Sequence, residues 1–162
     1  MCLLKATSAA SKIHVIEPTW ESMEYILDHL KEQDKFKTEQ DLLHCGKTRK
    51  DLLNLWMNKS EAKWMFMHGN QILFACGITK LDDGSGYALW WEPTELCAML
   101  KKSYCRASLK AVQLLKEHGG TVWTCTPLWY TQNIRATEKL GFEKVGEFLL
   151  YGEEYMLFKM EN

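Results

Sequence analysis

PLWYTQNIRATEKLGF, residues 127–142, is the clearest structural pattern in this chain. The residues before it, 121–126, form a strand-like run that contains valine, tryptophan and three threonines. The pattern predicts an aromatic loop and then a short helix over 132–140, because Gly141 is the kind of residue that ends a helix. Phe142 begins another apolar run, which predicts a strand. The last third of the chain therefore predicts a strand, a loop, a short helix and a closing strand pair.

The composition is that of an ordinary globular domain. The chain has 162 residues, of which 46% are hydrophobic and 25% are charged, and a chain of this length buries roughly two-thirds of its unfolded surface. We therefore expect a single domain over 1–162, with residues 1–11 as a flexible N-terminus. The net charge of −1 argues against a dedicated nucleic-acid-binding protein, because neutralising phosphates requires a concentrated basic surface.

The cysteines and the apolar segments limit which metal cofactor and which cellular location can be expected. The six cysteines never form a CxxC pair and fit no zinc pattern, so we expect free thiols in a reducing compartment and no metal. No segment has the length of a membrane span, and the first apolar run is too short for a signal peptide. A cytoplasmic protein is the expectation. The seven tryptophans are more than one core hides comfortably, and Trp91 and Trp129 are candidates to line a groove or an interface.

The periodicity of apolar residues predicts the order β-α-α-β-β-β-α-β-α-β-β. This order is that of an α/β fold in which helices cover both faces of one mixed sheet. Residues 31–38 are expected to be a charged connection, and the role of the region 36–58 stays open. Thr94 is expected to cap a long helix that runs to Glu117 and breaks near Ser103.

This order, with the Leu-Gly-Phe sequence at 140–142, resembles that of the GNAT N-acyltransferases over nearly the whole chain. The resemblance implies acetyl-CoA as the cofactor, with its pyrophosphate on the backbone N–H groups at the start of the long helix. The family's glycine-rich loop has no counterpart, since residues 92–97 read EPTELC. Glu92 and Glu95 carry charges that oppose an anion at this place.

A different set of residues offers an alternative phosphate site. A helix that restarts at Ser103 would bring Lys101, Lys102 and Arg106 close to its N-terminus, where they could contact phosphates. The alternative is the solvated basic face of an amphipathic helix. The candidate cofactor-binding residues are Trp91, Lys101, Lys102, Ser103, Arg106 and Asn133.

The catalytic positions implied by the resemblance are changed in this chain. Active relatives carry an asparagine and a tyrosine ahead of the Gly-Phe pair, and counting back from Phe142 puts Tyr130 and Thr137 at these positions. A threonine hydroxyl is a poor proton donor at neutral pH, and Tyr130 is the best spare phenol and a candidate catalytic residue. Glu92 is the candidate general base if burial raises its pKa, and the alternative is a surface glutamate at a strand end.

A narrower resemblance is to the GNAT-like proteins of short-tailed bacteriophages, often called internal virion proteins or phage acetyltransferases. It rests on ALWW at 88–91, the basic long helix, the Trp123 strand, and Ile134-Arg135 ahead of the Leu-Gly pair. It implies a protein with a degenerate acetyl-CoA site that binds a phage or host protein, in the infected bacterial cell or in the virion. The second interpretation is an active acetyl-CoA-dependent N-acyltransferase that modifies a protein or a small amine. The oligomeric state stays open.

Overall fold

The computed structural model describes residues 12–162, so the expected flexible N-terminus, 1–11, lies outside the described residues. Their strands form a mixed sheet. The strands are β1 (Ile13–Ile16), β2 (Ser60–His68), β3 (Gln71–Lys80), β4 (Tyr87–Pro93), β5 (Thr121–Pro127), β6 (Glu143–Leu150) and β7 (Glu153–Glu161). The sheet has seven strands in the order β1-β2-β3-β4-β5-β7-β6. Neighbouring strands are antiparallel except β4 and β5, which are parallel.

Helices connect the strands. They are α1 (Trp20–Asp28), α2 (Glu32–Cys45), α3 (Arg49–Asn54), a π-helical turn (Leu55–Lys59), α4 (Leu96–Met99), α5 (Lys101–His118) and α6 (Thr131–Lys139). Adjacent residues of a strand point to opposite faces of a sheet, and the core follows this rule. Met65 packs with α1 and α3, whereas the next residue, Phe66, packs with α5. The sheet is therefore covered by helices on both faces, as the sequence predicted.

The closing part of the chain follows the predicted pattern. The helix α6 ends at Lys139, and Gly141 takes a φ of 102°, a left-handed backbone conformation that a residue without Cβ adopts readily. Phe142 is 4% exposed and packs in the core with Phe158 and Leu115. The strands β6 and β7 then form the predicted hairpin. The predicted order of elements is thus confirmed in outline.

Three local predictions were wrong. Residues 31–38 are the first part of α2 rather than a connection. The Thr94 hydroxyl donates to the carbonyl oxygens of Ile72 and Leu73, at 2.9 and 2.8 Å, and caps no helix. The break in the long helix lies at Leu100, whose φ of −113° and ψ of 58° are not helical, so the long helix begins at Lys101. Threonine is a favourable helix cap. Here the Thr94 hydroxyl bonds instead to carbonyl oxygens of the neighbouring strand β3.

Candidate active site

The strands β4 and β5 diverge soon after they begin. Their register pairs Tyr87 with Val122 and Ala88 with Trp123, and no further pair between them occurs within residues 12–162. In contrast, β4 stays paired with β3 as far as Pro93, and β5 stays paired with β7 along its whole length. The sheet is therefore open between β4 and β5, and the edges of both strands face this gap.

Two cavities meet at the gap. The first, which we call the α2 cavity, has a volume of about 450 Å³ and is lined by α2, the π-helical turn, β4 and β5. The second, which we call the α5–α6 cleft, has a volume of about 250 Å³ and lies between those two helices. Both cavities are lined by Leu89, Trp91, Tyr104, Thr124, Asn133 and Ala136. These shared residues form the passage between the two cavities.

One face of α2 supplies charged groups to the α2 cavity. Asp34 and Lys37 line it, and Asp41 follows one turn later at the spacing that puts side chains on one helical face. The Lys37 ammonium lies 3.1 Å from Asp41 Oδ2. Burial would lower the pKa of Lys37, but the carboxylates of Asp41 and Glu92 outweigh burial and raise it. The region 36–58, whose role the sequence left open, therefore begins within a charged wall of the α2 cavity.

Two tyrosines tie this wall to the opposite side of the cavity. The Tyr130 hydroxyl donates to Asp34 Oδ2 at 2.7 Å, and the Tyr155 hydroxyl donates to Asp41 Oδ1 at 3.2 Å. Burial raises the pKa of Asp34, although the Tyr130 hydrogen bond and the Lys31 ammonium oppose the rise. These contacts hold α2 against β7 and the start of α6.

Glu92 stands opposite α2, near the end of β4. It lines the α2 cavity and is partly buried. Burial raises its pKa to about 8, while Lys37 pulls that pKa down and Asp34 and Asp41 push it up. No group among the described residues makes a hydrogen bond to its carboxyl group, since only burial and neighbouring charges act on it. A carboxyl group with such a pKa can accept a proton near neutral pH.

Tyr130 and Tyr104 are the two phenols nearest the gap. Tyr130, just before α6, is 5% exposed, and its hydroxyl donates a hydrogen bond to Asp34. Tyr104, on α5, accepts a hydrogen bond from Trp91 Nε1 at 2.9 Å, so its own proton is not used in that contact. Burial raises the pKa of both phenols. Sequence reasoning missed Tyr104 because no motif marks it and only the fold brings it to the gap.

The predicted cofactor residues fall into two groups. Trp91 and Asn133 line both cavities, and Asn133 Nδ2 donates to Thr126 Oγ1 at 3.0 Å. The other four residues, Lys101, Lys102, Ser103 and Arg106, lie in the first two turns of α5 and outside the lining of both cavities. The two lysines and Arg106 are exposed, whereas Ser103 is buried and accepts from Arg106 at 3.5 Å.

The start of α5 corrects an argument drawn from the sequence. Because α5 begins at Lys101, the residues that flank its N-terminus are Lys101 and Lys102 rather than Glu92 and Glu95. Glu92 instead lines the α2 cavity. The backbone N–H groups of the first turn have no partner within the helix, and Leu100 offers no side-chain cap. The expected repulsion between an anion and the two glutamates therefore does not apply at this helix end.

Four tryptophans, Trp56, Trp90, Trp91 and Trp123, form part of the wall of the α2 cavity. Trp90 stacks on Trp56 with ring centroids 5.4 Å apart, and Trp91 stacks on Phe74 at 4.5 Å. Trp90 lies across Gly77, where a Cβ would collide with the indole ring. Trp129, predicted to line a groove or an interface, is 41% exposed and lies outside both cavities.

Between residues 12 and 162, no three histidine, cysteine, aspartate or glutamate side chains are placed to hold a metal ion. Over the same residues, no helix has the length and apolarity needed to cross a membrane.

Solved acetyltransferases have a similar architecture. A GNAT-family acetyltransferase from Bacillus anthracis matches with a TM-score of 0.65 at 13% identity, over 93% of this chain and 95% of that chain. The ribosomal-protein-S18-alanine N-acetyltransferase from Escherichia coli matches with a TM-score of 0.66 at 11% identity, over 92% and 93%. An aminoglycoside acetyltransferase in complex with coenzyme A matches with a TM-score of 0.65 at 12% identity, over 93% and 95%.

This chain has the GNAT acetyltransferase fold, as its sequence predicted. Identities of this size establish the fold and leave the reaction to be argued from the site. No protein-family model and no curated protein matches the sequence. The narrower resemblance to bacteriophage proteins gains no support from these structures.

Proposed function

We propose that this chain is an acetyl-CoA-dependent N-acyltransferase whose acceptor amine binds in the α2 cavity. The observation that carries the proposal is the gap between β4 and β5, where two cavities share one set of lining residues. Two reactants that enter from opposite faces of the sheet would meet there. Holding reacting groups together in this way is a large part of catalysis.

The described residues fit coenzyme A in three places. The unpaired edges of β4 and β5 offer backbone groups to a peptide-like arm. The α5–α6 cleft, lined by Leu89, Leu109, Leu140 and Phe142 among others, offers an apolar wall. The N-terminus of α5, with Lys101, Lys102 and Arg106, offers free N–H groups and positive charge for phosphates. Bound there, acetyl-CoA supplies an electrophilic carbonyl carbon and a thiolate leaving group.

The chain's own groups then handle two protons. Glu92, ionised, takes a proton from the acceptor ammonium, so that the free amine can attack the carbonyl carbon. The departing sulfur takes a proton from a phenol at the gap, and the phenolate then takes the second proton that the attacking nitrogen loses as the amide forms. Tyr104 suits this role better than Tyr130, because Tyr130 already donates its proton to Asp34. Tyr130 is then a positioning residue that holds Asp34 and α2.

The first experiment measures thermal stability with and without acetyl-CoA. At one hundred times its dissociation constant, a ligand of the folded state stabilises by about 2.7 kcal/mol. This is a shift of roughly 5–10 °C for a domain of this size. Absence of a shift at millimolar acetyl-CoA would contradict the proposal. Desulfo-coenzyme A is a useful companion, since it binds without donating an acyl group.

A second candidate is protein binding without catalysis, by a GNAT-like protein of bacteriophage type that acts in virion assembly or host takeover. The absence of glycine between Tyr87 and His118 favours it, because active relatives use glycines near their phosphates. Exposed aromatic residues also favour it, since Phe36 and Trp129 contact each other at the surface with ring centroids 5.5 Å apart. Co-purification from infected cells tests this candidate, and recovery of the chain alone in every fraction would count against it.

A further inference from the structure

We infer that the acceptor is a small amine with one positive charge and an aromatic or similarly flat apolar body. This inference rests on the proposed function, since it names the substrate class of the same cavity. It follows from three properties of the α2 cavity: its charges, its walls and its size.

The charges of the cavity leave one carboxyl group without a partner. Lys37 is paired with Asp41 at 3.1 Å. Asp34 accepts the Tyr130 hydrogen bond and is attracted to the nearby Lys31 ammonium. Glu92 receives no hydrogen bond from the described residues, and the charges that act on it are those of Lys37, Asp34 and Asp41. One ammonium group beside Glu92 would favour its ionised form and pair with it, whereas a second would meet the two lysines.

Three of the indole rings that line the cavity have no free N–H group. Trp90 Nε1 donates to Ser60 Oγ at 2.8 Å, and Trp91 Nε1 donates to Tyr104 at 2.9 Å. Trp123 Nε1 points to the Ser85 carbonyl oxygen at 3.4 Å. Because these N–H groups are occupied, the rings present only their apolar surfaces and faces to a ligand. Aromatic faces attract both flat apolar groups and cations.

The size of the cavity suits a small molecule. Its volume of about 450 Å³ lies in the range of roughly 300–1,000 Å³ that is typical of small-molecule sites. A peptide would also need partners for its backbone amides, and the N–H groups of these three indole rings are already occupied. A polyamine would bring a second positive charge toward Lys31 and Lys37. The cavity therefore favours an arylalkyl monoamine over a peptide or a polyamine.

The test is calorimetric titration of the full chain with phenethylamine in the absence of coenzyme A. Three related probes separate the contributions: 2-phenylethanol keeps the ring without the charge, putrescine carries two charges without a ring, and a glycine-rich tetrapeptide carries one charge on a backbone. We expect phenethylamine to bind at least about tenfold more tightly than each of them, the usual effect of one charged hydrogen bond.

Two pairs of variants locate the binding site. Glu92→Gln should weaken phenethylamine binding by about tenfold or more and leave 2-phenylethanol unchanged. Glu95→Gln, an exposed carboxylate three positions further along the chain, should change neither. Trp123→Leu should weaken both ring-bearing probes, and Trp129→Leu, outside the cavity, should not. Melting curves of all four variants show that each one is folded.

The inference is overturned if 2-phenylethanol, putrescine or the tetrapeptide binds as tightly as phenethylamine, or if no probe binds. It is also overturned if Glu95→Gln and Glu92→Gln have equal effects. The acetyl-CoA melting experiment stands apart from these results. A shift with acetyl-CoA but no amine binding would leave the acyltransferase proposal intact with another acceptor. Amine binding without any response to acetyl-CoA would overturn the proposed reaction and keep the amine site.

Discussion

The two sides of the gap between β4 and β5 differ in chemistry although they share its lining. The α2 cavity holds Lys31, Asp34, Lys37 and Glu92 among aromatic rings. The α5–α6 cleft holds mainly aliphatic and hydroxyl side chains, with Lys139 as its one charged lining residue among residues 12–162. The difference indicates that the α2 cavity serves proton transfer, whereas the α5–α6 cleft serves to bind an apolar arm. The backbone fold provides the gap, and side chains on the two sides decide what each one does.

The largest expected effect comes from the carboxyl group on the α2 side. If Glu92 is the base, Glu92→Gln should lower the rate of acetyl transfer to an amine by ~10²–10⁴-fold. Binding of acetyl-CoA, on the other side of the gap, should stay the same. Glu95→Gln is the matched control. Release of free thiol measures the rate, and a Glu92→Gln variant as active as the unaltered chain would remove the proton-handling role of this side.

The next largest effect concerns stability against pH. The pKa of Glu92 is raised from 4.5 to about 8 in the folded chain, so the folded state holds a proton that the unfolded state loses. Its contribution to stability is fully present below about pH 4.5, falls as pH rises, and is lost above about pH 8. At ~1.4 kcal/mol per pKa unit, the loss is at most about 5 kcal/mol.

Denaturation curves of the unaltered chain and of Glu92→Gln from pH 5 to pH 9 measure this loss. The difference in unfolding free energy between them should change in favour of the variant as pH rises, because glutamine does not titrate. Parallel curves would mean that Glu92 is solvated, and the contrast between the two sides of the gap would then be one of shape only.

The two phenols distinguish proton transfer from positioning. We expect Tyr104→Phe to lower the transfer rate by about 10²-fold, the lower end of general acid catalysis. A thioester with an acidic thiol should restore the rate, since such a thiolate leaves without a proton. Tyr130→Phe should instead cost about 1–3 kcal/mol of stability, because Asp34 stays buried without its donor. If Tyr130→Phe lost rate and Tyr104→Phe lost only stability, Tyr130 would be the general acid instead.

The floor of the α2 cavity depends on a glycine. A Cβ at Gly77 would collide with the indole of Trp90, which packs between Gly77 and Trp56. Gly77→Ala should therefore cost about 1–3 kcal/mol of stability, the usual cost of overpacking. It should weaken amine binding more than acetyl-CoA binding. Gly146→Ala is the control, since a Cβ at Gly146 meets no atom within 4 Å.

The smallest effect is expected at the start of α5. Lys101→Ala and Lys102→Ala should each weaken acetyl-CoA binding by about 0.3–1 kcal/mol, the range for an exposed charge at a helix end. Added salt should reduce the effect, because exposed charges are screened. Lys110→Ala, an exposed lysine further along α5, is the control. Equal effects of all three would mean that the basic residues act only as a solvated face.

Local patterns predicted much of the fold but little of the site. The helix end at Gly141 and the hairpin that follows could be predicted because their signals are residue types with fixed backbone preferences. The first part of α2 was missed because a polar cavity faces it, which removes the apolar stripe by which a helix is recognised. Tyr104 was missed because only the packing of α5 on β4 brings it beside Trp91, and no local sequence pattern marks that contact.

The sequence by itself determined the order of strands and helices, because turn residues and apolar periodicity act over a few positions. It also supplied Glu92 at the end of a strand. Only the tertiary structure decided that β4 and β5 separate after two pairs, that Asp34 and Lys37 face Glu92, and that the long helix begins at Lys101. These properties depend on distances between residues far apart in the chain, and such distances exist only once the helices have packed on the sheet.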